Sequence, residues 1–321
     1  MGLETSGDPA VPGEEPSGNN SSTGAEGDES SSGEPDDGAA PIYDVGNAGG
    51  SGGPAPGEDS CTKIDLLFVI DNSGSMAGEQ ENLAASVPGF IDVMRETLVD
   101  ADSLHIGVTT TDANTGNAAP CNVDGALVTR TSGADSSEAT CGPYALGGPF
   151  MTEDDDLDVA FSCAARVGTE GIPFERPMDT LRAAITPGIN APGQCNEGFV
   201  RPDALLVVVV ITDEEDHLDS AVIQNGSADD PPGWFTDVVA LKGGIEENIV
   251  LLSLVGTPSP SACDGLVGED EGAQVAPRLI SFTEMFTYGT VGDVCADSYA
   301  AFFADAVSVI DIACEGFTPA G

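Results

Sequence analysis

The chain has 321 residues, with 55 acidic residues against 9 Lys and Arg, a formal charge of −46 and eight cysteines. A surface this anionic repels nucleic acid and anionic lipid, so neither is expected as a partner. The longest apolar run, residues 204–211, is far too short to span a bilayer.

Residues 1–60 carry 13 of the acids, no Lys or Arg, and almost no large apolar side chains. Such a segment cannot bury enough apolar surface to offset its ordering entropy, which predicts a disordered acidic tether rich in Gly, Ser and Pro. Its polar start is unlike a secretory signal, and M-G-L-E-T-S fits an N-myristoylation pattern by chance. A tether of this kind is what a cleaved presequence leaves behind, so a membrane link is expected only through an N-terminal lipid anchor.

Residues 61–321 hold 42 acids against 9 bases and turn apolar and periodic, as a single domain requires. Ile64–Ile70 reads as a buried strand stopped by D-N-S-G-S. Leu83, Val87, Phe90, Ile91, Met94 and Leu98 follow at helical spacing, with a break or kink expected at Pro88-Gly89. Leu104–Thr111 is a second strand. Residues 112–162, rich in Gly, Ser and Asp, read as a long insertion with some hairpin content. A helix over 175–185 ends at Thr186-Pro187-Gly188, and Ala204–Thr212 is an unbroken apolar strand. A helix over 234–241 opened by Pro231-Pro232, a strand over 248–256, a second insertion over 257–275, a helix over 277–286, a short strand over 290–294 and a helix over 298–312 complete the chain. Strands alternating with helices predict an α/β fold in three layers, Rossmann-like, with a mostly parallel central sheet, helices on both faces and disulfide-stapled insertions.

The cysteines at 61, 121, 141, 163, 195, 263, 295 and 314 are even in number, scattered, and without zinc spacing. They suit disulfides and an extracytoplasmic place: a cell surface, an outer-membrane lipoprotein or a secreted protein. Their flanking positions suggest Cys61 with Cys314, Cys121 with Cys141, Cys163 with Cys195, and Cys263 with Cys295.

Two apolar strands end in acidic, hydroxyl-rich loops, F-V-I-D-N-S-G-S-M at 68–76 and V-V-I-T-D-E-E-D at 209–216. Ligands of such sheets bind at the carboxyl ends of strands. An aliphatic strand followed by D-x-S-x-S resembles the von Willebrand factor A family, whose metal-ion-dependent adhesion site bears that signature. The resemblance covers residues 62–314. It implies that Ser73 and Ser75 give hydroxyl oxygens to a metal, that Asp71 holds a metal-bound water, and that Asp213 supplies the later aspartate. It also implies a threonine from a loop before a helix, with Thr169 in V-G-T-E-G the candidate. Glu214 stands where the family often has Gly.

Independently of any family, such a set offers hard oxygens with two negative charges, which suits Mg²⁺ and tolerates Mn²⁺ or Ca²⁺. The lightly neutralised ion can accept a carboxylate from another molecule, so the expected function is metal-dependent binding of a protein ligand through an acidic side chain. A structural or calcium-responsive scaffold in an envelope assembly is the second reading, and a metal-dependent hydrolase the third. No enzyme is expected: there is no G-x-S-x-G elbow, G-K-[ST] loop or H-E-x-x-H helix, and Ser73 stands where a dehalogenase-type phosphotransferase needs an acid. His105 is expected in a strand and His217 in a solvated loop. The acidic runs 153–158 and 214–219 lack EF-hand spacing and read as solvated loops.

Overall fold

The computed structural model describes residues 61–99, 101–113, 116–172, 175–217, 226–259, 261–262 and 272–319. The tether expected over 1–60 lies outside them. Strands β1 (Lys63–Ile70), β2 (Ser103–Thr110), β3 (Met151–Thr152), β4 (Leu205–Ile211), β5 (Ile249–Val255) and β6 (Tyr288–Asp293) form one sheet in the order β3-β2-β1-β4-β5-β6. Every neighbouring pair is parallel except β2 with β3, which is antiparallel. Central strands buried on both faces need apolar residues at every position, which is why L-L-V-V-V-V-I at β4 shows no alternation.

Side chains of successive residues point to opposite faces and so divide the core in two. Ile64, Leu66, Phe68 and Ile70 of β1 join one cluster, under helices α1 (Ala77–Thr97), α2 (Leu157–Ala165) and α7 (Ala300–Glu315). Leu67 and Val69 join the other, under α3 (Pro177–Ile185), α5 (Pro231–Leu241) and α6 (Pro277–Thr283). A short α4 (Pro187–Asn190) follows α3 at once, so Pro187-Gly188 ends one helix and opens another turn. The three-layer α/β architecture expected from the sequence is the one observed.

Three expectations need correction. Helix α1 runs unbroken through Pro88 and Gly89. Val87, Phe90, Ile91 and Met94 are all buried on the sheet side, and this packing outweighs the local cost of Pro. The insertion is shorter than 112–162, because β3 joins the sheet and α2 belongs to the core, where Phe161 meets Phe68 edge-on with ring centroids 4.7 Å apart. The disulfides are Cys61–Cys314, as expected, but Cys121–Cys195 and Cys141–Cys163 in place of the other two expected within the described residues. Asn196 explains the first change: its side chain accepts from Leu127 N and donates to Gly125 O, holding the 121–127 loop beside Cys195. Ser137 explains the second by donating to Cys163 O at the end of α2. The insertion is thus clamped to two neighbouring elements rather than to itself. Cys263 lies outside the described residues, as does much of 257–275.

Candidate metal centre

Asp71 follows β1 at the carboxyl edge of the sheet and is fully buried. Its backbone N donates to Ile211 O on β4 at 3.0 Å, so the tips of the two central strands are joined there. One carboxylate oxygen, Oδ1, accepts from Ser73 N at 2.7 Å, which shapes the D-N-S turn. The other, Oδ2, accepts from the Thr212 hydroxyl at 2.5 Å. Asp71 is therefore a fixed hinge between both loops.

Gln80 on α1 donates to Asp71 O and Gly168 O and accepts from Gly168 N, sewing the 168–171 loop to the first tip. Gly168 has φ +97°, a left-handed conformation that favours glycine. Gly171 donates its N–H to Asn72 O at 2.8 Å, and a Cβ there would lie 2.6 Å from that oxygen. Close approach of these backbones demands glycine at both places.

Into this cradle project oxygens without partners. The Ser73 hydroxyl and both carboxylate oxygens of Asp213 are buried and make no hydrogen bond of normal geometry, although the Ser73 hydroxyl lies near enough to Asp71 to favour its charged form. The Ser75 hydroxyl lies near enough to Asp213 to favour its charged form, though no bond of normal geometry joins them. Burial raises the Asp71 carboxyl strongly, and the charge of Asp213 raises it further. Burial also raises Asp213 itself, and it lifts Glu214 to about 7 with help from Asp213. The charge acting on Asp71 and Glu214 is that of Asp213, and among the described residues no ion pair reaches any of the three.

Asp71, Ser73, Ser75 and Asp213 are thereby brought together. Thr169 is not wholly with them: its loop is pinned beside Asn72, but its hydroxyl donates to Asp135 Oδ2 at 2.7 Å. The orphaned oxygens fit a divalent cation of the hard kind, held by two hydroxyls and two carboxylates. Among the described residues no three His, Cys, Asp or Glu side chains stand round one point, so hydroxyls must share in any such shell.

Sequence reasoning missed Thr212, Gln80 and Glu175. Glu175, in the loop before α3, is 2% exposed and has one oxygen without a partner. Its signal was available, as an acid in the loop where the resemblance places a threonine. Of the acidic runs expected as solvated loops, 153–158 is largely exposed, whereas Glu215 and Asp216 are buried, which corrects the expectation for the described part of 214–219. Asp155 accepts from Ala145 N and Thr152 N, Asp156 caps α2, and Asp216 accepts from Ser227 and Met178 N. His217 is exposed, and His105 lies in β2 at the opposite edge of the sheet.

No family model matches the chain, and no curated protein matches it in sequence. Solved structures do. A von Willebrand factor type A protein from Catenulispora acidiphila is 17% identical, with a TM-score of 0.39, over 78% of this chain and 42% of that one. Proximal thread matrix protein 1 from the mussel byssus matches in two structures, each over 80% of this chain and 49% of that one. One, its crystal form 2, gives 12% identity and a TM-score of 0.38, and the other, with a zinc-occupied MIDAS motif, gives 11% and 0.36. The chain spans less than half the length of these chains.

Proposed function

We propose that this domain holds a divalent cation, Mg²⁺ with Mn²⁺ or Ca²⁺ as substitutes, on Asp71, Ser73, Ser75 and Asp213. The ion then captures a carboxylate of a protein partner. One observation carries the reading: on two adjoining strand tips, the Ser73 hydroxyl and both Asp213 oxygens are buried without a hydrogen bond of normal geometry. Buried polar atoms are ordinarily satisfied, and leaving a carboxylate without a partner costs several kcal/mol. A cation supplies that partner. Thr169 joins the shell on this reading only by releasing Asp135.

The role is binding, and it needs no nucleophile or general base. Three disulfides among the described residues support an oxidising compartment. They favour an exported protein, whether secreted, at the cell surface, or tethered as an outer-membrane lipoprotein. Among the described residues no helix is long and apolar enough to cross a membrane.

The test is calorimetric titration of the full chain with MgCl₂, then with a short Asp- and Glu-containing peptide. Wild type should bind the ion with single-site stoichiometry, bind the peptide only when the ion is present, and lose both after EDTA. Ser73→Ala and Asp71→Ala should abolish ion binding. If both variants titrate like wild type, the proposal fails. Ion binding without peptide binding leaves the scaffold reading.

A further inference from the structure

At the amino edge of the sheet, three bases, Lys63, Arg201 and Lys242, meet two acids, Asp65 and Asp203. Lys63 pairs with Asp203, and the Arg201 guanidinium pairs with Asp65 and donates also to Ser103 Oγ and Ile64 O. Lys242, at the end of α5, is 3% exposed and has no ion pair among the described residues. An ammonium carries three N–H donors, and Lys242 Nζ uses one of them, to Arg201 O at 2.6 Å. His105 nearby is neutral near pH 7, because burial lowers it to about 4. Three bases against two acids leave one positive charge in excess, in a chain whose formal charge is −46. A buried ammonium without a counter-charge is costly, so this one calls for an anion.

A cavity of about 340 Å³ is lined by Arg201 and Lys242. Its other walls are apolar: Ile185, Pro187, Val200, Pro202 and Leu241. Asn190 lines it too, but its side chain is engaged by Ala184 O, Thr186 O and Val200 N. The hydrogen-bonding capacity left over among these side chains is therefore cationic, and it belongs to Lys242. An apolar cavity of this size with one convergent charge has the character of a small-molecule site.

We propose that this cavity binds a small monocarboxylate with an apolar body. Its carboxylate accepts from Lys242, and its hydrocarbon part fills the space between the end of α3, α4 and the end of α5. A single negative charge offsets the single excess positive one. A dianion would carry charge that nothing in the cluster offsets, and the acidic surface of the domain would repel it more strongly. The proposal does not rest on the candidate ion site, which lies at the opposite edge of the sheet.

The test is calorimetric titration of the full chain, at neutral pH in EDTA, with phenylpropionate and with its neutral amide. Wild type should bind the acid saturably at one site and the amide at least tenfold more weakly. Lys242→Met keeps the length of the side chain and removes its charge. It should lower the affinity for the acid to that for the amide and leave the amide unchanged. Val200→Trp, which fills the cavity without touching the charges, should abolish binding of both. The comparison of acid with amide needs no variant, so it decides the matter even where Lys242→Met fails to fold. Absence of saturable binding by the acid, or equal affinity for acid and amide, overturns the proposal, and Lys242 then serves only the carboxyl end of α5. Wild-type affinity for the acid in Lys242→Met or Val200→Trp overturns it as well, since the acid would then bind elsewhere.

Discussion

Strand β1 carries a buried aspartate, Asp65, near its start and is followed by another, Asp71, and only the first is paired with a cation. Asp65, at the amino edge, accepts from Arg201 Nε at 2.7 Å and Arg201 N at 2.6 Å. The same guanidinium donates to Ser103 Oγ and Ile64 O, and Lys242 donates to Arg201 O. Asp71, at the carboxyl edge, sits among carboxylates, and its neighbours Ser73 and Asp213 keep oxygens without partners. Burial is equal at 0% exposure for both aspartates, so burial alone does not tell structure from function. Charge pairing does. Both aspartates have donors on their oxygens, but Asp65 also has a cation, whereas the only charge acting on Asp71 is another carboxylate, which on the proposed reading a metal ion offsets.

The largest effect expected of this contrast is at the amino edge. Arg201→Met should cost about 3–5 kcal/mol in urea denaturation, because it leaves Asp65 buried and unpaired. A loss below about 1 kcal/mol would erase the contrast. At the carboxyl edge the sign reverses. Asp213→Asn should cost the metal-free protein nothing, since it removes a charge without a partner. It should also abolish the gain from Mg²⁺, about 2.7 kcal/mol at a hundredfold excess over Kd. A destabilised metal-free variant with its Mg²⁺ gain intact would place Asp213 in the scaffold instead.

A smaller effect concerns pH. Burial lifts Asp65 to about 6 against the pull of Arg201, so the folded state binds the extra proton and stability falls as pH rises from about 4 to 6. Burial lowers His105 to about 4, so there the unfolded state binds the extra proton and stability rises from about 4 to 6.5. His105 is thus neutral near pH 7, its Nδ1 donating to Phe199 O at 2.9 Å, and its 3.7 Å approach to Asp65 is no ion pair. The two slopes oppose each other. In His105→Asn the opposing slope is gone and Asp65 acts together with the other carboxyls that burial raises, so denaturation midpoints should fall more steeply between pH 4 and 6 than in wild type, and an unchanged profile would contradict this balance. The smallest effect belongs to the exposed Lys63–Asp203 pair, where Lys63→Ala should change stability by no more than about 0.5–1 kcal/mol.

The fold was legible because β1, β4 and β5 are buried on both faces and so read as continuous apolar runs. Asp71, Ser73, Ser75 and Asp213 were legible because they follow two such runs directly, where a parallel sheet presents its ligands. What escaped depends on contacts distant in sequence. Helix α2 looked like part of a loop until Phe161 met Phe68, and the cysteine pairing waited on Asn196 and Ser137. Thr169 was chosen by type and position, and only the fold reveals Asp135 as its partner. Glu175 was passed over because it was read as the first residue of a helix over 175–185, whereas α3 starts at Pro177 and Glu175 is buried before it, beside Thr111.

Anomalous diffraction from a crystal of the full chain soaked in manganese tests the central claim most directly. A single peak is expected between Ser73, Ser75 and Asp213, about 2.0–2.6 Å from their oxygens as hard cations require. An empty map there, with Asp213 turned away from both serines, would contradict the account and leave the fold standing alone.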